Sequence, residues 1–395
     1  MNKADIIVVG GGVIGTSAAY YLSKTGAKVI LVDRQDIASG TSSRCDGNIV
    51  VHDMLPYQIP FARKAQDLFP GLADEISYDI EWKRRGSVLL IDTELEYEVA
   101  QKHTEEMIAI GQPYRLMDSR EAHDEEPLLG PKVLGGMEVA CDGSLNPMFL
   151  AFGLMEGARR NGAAFISNAP VCGVLRNDDG SVAGVETDRG NYYAPVVIDA
   201  AGAWANRIAA MVGIHIPMEP RRGDIIVAER TGGVAKRKMS EFAYITTKLQ
   251  LKDYKRPVSD EMAENGICFV FEPCDPGNFL VGSSRWFNGF DVRSDSRIMR
   301  LIAQRALDFF PCIQDARAIH SYAGLRPYSE DHTPIVCQTD VPGFYLATGH
   351  EGSGILYSPM TGILLSQLIT KDPNPIIDPA LWDMKRFANA EREAH

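Results

Sequence analysis

"DIIVVGGGVIGTSAAYYLSKTGAKVILVDR" fills residues 5–34. The β-branched run "IIVV" reads as a buried strand. Val13, Ile14, Ala18, Tyr21 and Leu22 recur at helical spacing, and Gly26 ends the helix. "AKVILVDR" is a second strand that closes on Asp33. The stretch is one β-α-β unit. Gly10, Gly12 and Gly15 fit G-x-G-x-x-G at its turn. Gly10 permits the tight turn, Gly12 lets amides approach a pyrophosphate, and Gly15 lets helix and strand pack closely. The helix N-terminus favours an anion, which places Val13 and Ile14 beside the phosphates. Asp33 lies 18 residues past Gly15. A carboxylate there accepts hydrogen bonds from an adenosine ribose and repels a 2′-phosphate, which disfavours NADP.

The 395 residues suffice for more than one domain. A hydrophobic share of 45% with 23% charged residues fits a globular enzyme. The net charge of −12 argues against nucleic acid or an anionic membrane as a partner. No apolar run reaches the roughly 18 residues of a membrane span. The first strand begins by Ile6, leaving no room for a signal peptide, so the expected location is the cytoplasm. The seven cysteines are scattered and form no C-x-x-C, so neither a metal site nor a redox dithiol is expected.

Three stretches shift the expectation from NAD to FAD. "DRQDIASGTSSRCDGN" follows Asp33 as a hydroxyl-rich loop where an NAD domain usually continues into a helix. Arg34, Ser42, Ser43, Gly47 and Asn48 are its candidate cofactor contacts. "APVVIDAAGAWANRIA" at 194–209 carries a strand into Ala201 and Gly202, small enough for a flat ligand to approach. "GFYLATGHEGSGILYSPMTG" at 343–362 places Gly352, Ser353, Gly354 and Ile355 at the start of an apolar helix. Its amides suit the negative charge of a reduced flavin.

Elements of nucleotide-binding type recur at the start, middle and end of the chain. The expected fold is α/β: a Rossmann-like FAD-binding domain with a mixed, mainly antiparallel-sheet substrate domain. The first is assigned residues 1–80, 145–215 and 318–375, the second 81–144 and 216–317, with a tail at 376–395. "DGSLNP" at 142–147 reads as a helix cap.

The ordered set "VVGGGVIG…LVDR…SGTSSR", "VVIDAAGAWA", "YAGLRPYSEDHTPIV" and "ATGHEGSGILYSPMTGILLSQLI" resembles the FAD-dependent amine oxidoreductases of the D-amino-acid oxidase superfamily. These include glycine and sarcosine oxidases and the flavoprotein subunits of opine and hydroxyproline dehydrogenases. "FLVGSSRWFNGFD" at 279–291 looks most like the opine, hydroxyproline and cyanide-synthase subunits. The resemblance implies oxidation of a C–N bond in an amino acid or N-substituted amino acid by hydride transfer to flavin N5, the imine then hydrolysing. It implies an amino-acid-like substrate and admits a partner subunit for electron transfer.

The resemblance also implies residue roles. Arg326 of "GLRP" binds the substrate carboxylate, as a planar guanidinium pairs bidentately with a planar carboxylate. Tyr244 lies where glycine oxidase places a second carboxylate contact. Gly352 stands where glycine oxidase has an arginine, which puts glycine in doubt as substrate. Gly324 and Val171 are further flavin contacts. Single-chain sarcosine oxidases tether the flavin through a cysteine in the segment matching Gly324–Pro327, which here has none, so non-covalent FAD is expected. His52 and His350 are candidate bases, with His52 carried as a catalytic candidate. Alternatives are an FAD-dependent dehydrogenase of 2-hydroxy acids or glycerol phosphate, and a flavoprotein subunit active only in a hetero-oligomer.

Overall fold

The computed structural model describes residues 2–231, 233–246 and 254–387. The remaining residues, including 388–395 of the expected tail, lie outside the described part.

The opening unit folds as its pattern predicts. Strand Ile6–Val9, helix Val13–Ser23 and strand Val29–Val32 follow in order, and both strands are buried on both faces. They sit inside a six-stranded sheet. Its order is Ile335–Gln338, Phe344–Thr348, Val196–Asp199, Ile6–Val9, Val29–Val32 and Ala164–Ile166. All neighbours are parallel except the first pair. Three helices, Val13–Ser23, Pro147–Arg160 and Gly354–Thr370, pack together beside this sheet. Their approach is set by glycines. A methyl on Gly362 would meet Ser17, and one on Gly157 would meet the Tyr20 ring. The Ser17 hydroxyl donates to the Ser358 carbonyl at 2.6 Å, pinning first helix to last. A three-stranded antiparallel sheet, Val171–Arg176, Val182–Thr187 and Gly190–Tyr193, shares a second apolar cluster with strand residues Ile7, Val197 and Leu346.

A nine-stranded mixed sheet forms the other layer. It is antiparallel except where Lys238–Glu241 runs parallel to Ser87–Ile91. Its longest ladder joins Met218–Ala228 to Ala318–Ser329. Within the segment 318–375 expected to bind FAD, strand Ala318–Ser329 is hydrogen-bonded along its length to Met218–Ala228 of the larger sheet. Its far end still reaches the cleft between the sheets.

"DGSLNP" caps a helix as expected. Asn146 accepts from the Met148 and Phe149 amides at 3.2 and 3.3 Å. Two hairpin turns join the three antiparallel strands between Val171 and Tyr193.

Candidate functional site

A cavity of about 450 Å³ runs between the two sheets. Gly10, Gly12, Val13, Ile14, Asp33 and Arg34 line one end. Ser42, Val171, Ala201 and Gly202 line its side, and Gly324, Arg326, Tyr244, Gly352, Gly354 and Ile355 line the other end. The cavity thus gathers most of the predicted site residues from segments hundreds of residues apart.

The nucleotide end is built by close backbone packing. Gly10 has φ +115°, and a methyl there would strike the Ala200 carbonyl. Gly15 lies outside the lining. A methyl on it would overlap the Gly10 carbonyl oxygen, so its role is packing, as its place in the motif predicts. The Gly11 amide donates to Asp33 Oδ2 at 2.6 Å, and the Gln35 amide to Oδ1 at 2.7 Å. Asp33 therefore shapes the glycine turn as well as facing the cavity. Ser42 Oγ accepts from the Val13 amide at 3.0 Å, so this predicted cofactor contact also caps the first helix. Ser43 and Gly47 do not line the cavity. Ser43 donates to the Gly40 carbonyl at 3.2 Å, and Gly47 is pressed against the Leu145 carbonyl.

Trp204 and Arg207 also line this end, and the sequence reading missed both. The Arg34 guanidinium stacks over Trp204 at 4.1 Å. Burial, aided by the nearby Arg207, pulls Arg34 below the usual arginine range against the Asp33 carboxylate. Arg34, Arg44 and Arg207 surround the cavity with positive charge, which suits a diphosphate. Glycines at the turn, an acid at the second strand end and basic walls fit the ADP half of FAD. The glycine-lined far end leaves space for a flat ring.

At that far end Gly223 and Gly324 stand opposite each other on adjacent strands. Arg326 folds back over Gly223, where any methyl would meet its guanidinium. Its Nη1 donates to the Ser284 and Arg222 carbonyls at 3.1 and 3.4 Å. Nε and Nη2, which form the side-on edge of the fork, have no hydrogen bond to a described residue. That edge is available to a carboxylate. A methyl on Gly352 would lie 3.9 Å from Arg326 Nε, in ordinary van der Waals contact.

Tyr244 is half-buried beside Arg326. Arg285 covers its ring at 3.5 Å. Burial acts to raise the Tyr244 phenol, but the Arg285 and Arg326 guanidiniums outweigh it and leave it below the usual tyrosine range. Arg221 completes a cluster of three guanidiniums. Burial first, then Arg285 and Arg326, push it down to about 9. Its carboxylate partner is Glu351, which also holds His332 Nδ1 at 2.7 Å. Arg221 and Arg285 were missed because "PRRGD" and "SSRWF" do not say which side chains turn toward Arg326 and Tyr244. Arg222, next door, is buried on the other face against Asp224 at 2.6 Å.

His350 lines the cavity as a neutral ring. Burial pushes it down to about 3, and Nε2 bonds Thr361 Oγ1 at 2.8 Å. Cys45 lines the cavity too, and burial raises its thiol well above the usual range. Cys337 is buried in the six-stranded sheet. Glu272, also missed, lines the cavity at 5% exposure; burial pushes it up to about 7 against Lys238.

Asn48, His52 and Ser353 lie outside the cavity. They line a small adjoining chamber that shares Tyr244, Asp46 and Gly352 with it. His52 Nδ1 is 2.6 Å from Asp142 Oδ2 and 2.8 Å from Ser87 Oγ.

A family model described as "FAD dependent oxidoreductase" matches residues 5–368. The glycine oxidase of Geobacillus kaustophilus is 27% identical over 379 residues, covering 94% of each chain. The hydrogen cyanide synthase subunit HcnC of Pseudomonas protegens is 30% identical over 433 residues, covering 98% of this chain and 97% of its own. Among solved structures, the Geobacillus kaustophilus glycine oxidase superposes with TM-score 0.86 at 26% identity, covering 98% of this chain and 99% of that one. The L-proline dehydrogenase of P. horikoshii shares the fold, with TM-score 0.85 at 22% identity and 98% and 99% covered.

Proposed function

The chain belongs to the FAD-dependent oxidoreductase family, and from that premise we propose that it oxidises the C–N bond of an amino acid or N-substituted amino acid whose carboxylate pairs with Arg326. The observation that carries this reading is that Arg326 lines the cavity beside Tyr244 with its Nε–Nη2 edge unpaired among the described residues. A relative named glycine oxidase, and others named as components of opine oxidase and sarcosine oxidase, support amine oxidation.

Arg326 holds the carboxylate in a plane, so one Cα–H is presented to the glycine-lined end of the cavity. Tyr244 offers a second contact, and Arg285 behind it keeps the local potential positive. FAD, when bound, supplies the acceptor for the electron pair and hydrogen leaving Cα. The residues that would hold it are those around Gly10, Asp33, Arg34 and Ser42 at one end and Gly324 and Gly352–Ile355 at the other. With no cysteine at Gly324–Pro327, FAD is held non-covalently. The imine product then hydrolyses.

Gly352 offers no cation to the carboxylate, which counts against glycine itself as the substrate. A second reading, a flavoprotein working within a hetero-oligomer, is favoured by the similarity to HcnC, named as a synthase subunit.

Anaerobic mixing of the holoenzyme with glycine, sarcosine, L-proline, D-proline and iminodiacetate, with L-lactate and glycerol 3-phosphate as C–O controls, tests the reading. Flavin bleaching by an amine and not by the controls is expected. Bleaching by L-lactate or glycerol 3-phosphate alone overturns it.

A further inference from the structure

We propose that His52, oriented by Asp142 and acting through one water, takes the proton from the substrate's ammonium group. The inference rests on the amine-oxidation reading above, and concerns a step that precedes loss of the Cα hydrogen.

His52 is 2% exposed. Its Nδ1 contacts Asp142 Oδ2, and every other contact to Asp142 is a donor. The Val51 amide gives to Oδ1 at 2.8 Å, Gln66 Nε2 to Oδ1 at 3.2 Å and Ser87 Oγ to Oδ2 at 2.6 Å. Asp142 can therefore only accept from Nδ1, which fixes the proton there and leaves Nε2 as an acceptor. Nε2 has no hydrogen bond to a described residue, and it is not sealed from accessible space. The space it can face is the small chamber.

That chamber, about 30 Å³, is large enough to hold a water molecule. A water needs two to four polar partners to stay there. His52, Asn48 and Tyr244 line the chamber, and Asn48 Oδ1 is buried with no partner. The chamber opens beside Tyr244 and Gly352, which also line the cavity at its Arg326 end. The charged groups facing it from neighbouring elements are Asp46, Asp53 and Lys238, with Lys238 3.8 Å from Asp46.

The step balances simply. An N–H bond of the substrate ammonium breaks and its pair stays on nitrogen as the lone pair oxidation requires. The chamber water accepts that proton and gives one of its own to Nε2. Asp142, a positioning residue, stabilises the resulting imidazolium through Nδ1–H.

The test is the pH dependence of anaerobic flavin reduction by sarcosine, L-proline and iminodiacetate, read as bleaching rate over apparent Kd. With His52 at work, the wild-type profile is expected to stay level over a pH range well under the amine's own ionisation. In His52→Gln only the free amine reacts, so the profile rises about tenfold per pH unit up to the amine's ionisation. The loss is then at least tenfold at pH 7 and vanishes at high pH. Asp142→Asn is expected to shift the profile the same way, by less. A wild-type profile that already tracks the amine overturns the proposal without any variant. So does a His52→Gln loss that is equal at every pH. Absence of bleaching with every amine refutes the amine-oxidation reading instead.

Discussion

The Arg285 guanidinium lies over the ring of Tyr244, 3.5 Å from its centroid. A cation on a partly desolvated aromatic face contributes roughly 0.5–2 kcal/mol. Arg285→Met is therefore expected to raise KM for the amine substrate about 2- to 30-fold. It is also expected to move the alkaline limb of the pH profile upward, because the Tyr244 phenol loses the charge that depresses it. Tyr244→Phe should abolish that limb. An Arg285→Met profile identical to wild type would show that the pair has no influence on the site.

Arg326→Ala should retain FAD, read from the visible absorbance of the purified protein. One charge-assisted pair is worth roughly 1.5–3 kcal/mol, so KM should rise about 10- to 150-fold. Arg326→Lys is expected to recover little, since an ammonium lacks the side-on edge. An unchanged KM in Arg326→Ala would remove the carboxylate role.

How far the sequence reveals this site follows from its physics. Gly10, Gly15 and Asp33 were readable because their spacing is local and each obeys a backbone constraint. Arg326 was readable because it sits in a motif with a family meaning. Arg221 and Glu272 were not, because cross-strand register, which no local pattern encodes, sets their neighbours, and Trp204 and Arg285 sit in a turn and a loop whose path no periodicity gives. Asp142 was read as part of a helix start; Asn146 does the capping, while Asp142 is folded in against His52, 90 residues away. Ser42 was named for the cofactor, and it also caps the helix that the cofactor phosphates would face.

Acid denaturation of the holoenzyme, followed by centrifugation, should release all flavin into the supernatant. Flavin left in the pellet would point to Cys45, the cysteine that lines the cavity.

Asp199 gives a prediction of stability against pH. Burial pushes its carboxyl up to about 8, against the pull of the Ala201 amide, and Oδ2 has no partner. In the unfolded chain it titrates near ~3.9. The folded state keeps the proton across that window, so stability is fully present below the lower value and is lost as pH rises through the upper one. Asp199→Asn cannot lose a proton, so its Tm relative to wild type should climb between pH 5 and 9. The gain at the alkaline end is on the order of 4 kcal/mol, about 1.4 kcal/mol for each pH unit between 5 and 8. A Tm difference that stays flat with pH would contradict the buried-carboxyl account.

The order of strands in the six-stranded sheet carries a consequence for biosynthesis. Ile6–Val9 is synthesised well before its neighbour Val196–Asp199, and the next strand, Phe344–Thr348, comes later still. Pairings so distant in sequence form slowly, and domains with them expose apolar strand edges while they wait. The early strands must therefore stay shielded until the later ones are made. The nucleotide cradle closes only after Phe344–Thr348 has been synthesised, so FAD meets a chain that already carries all of these strands.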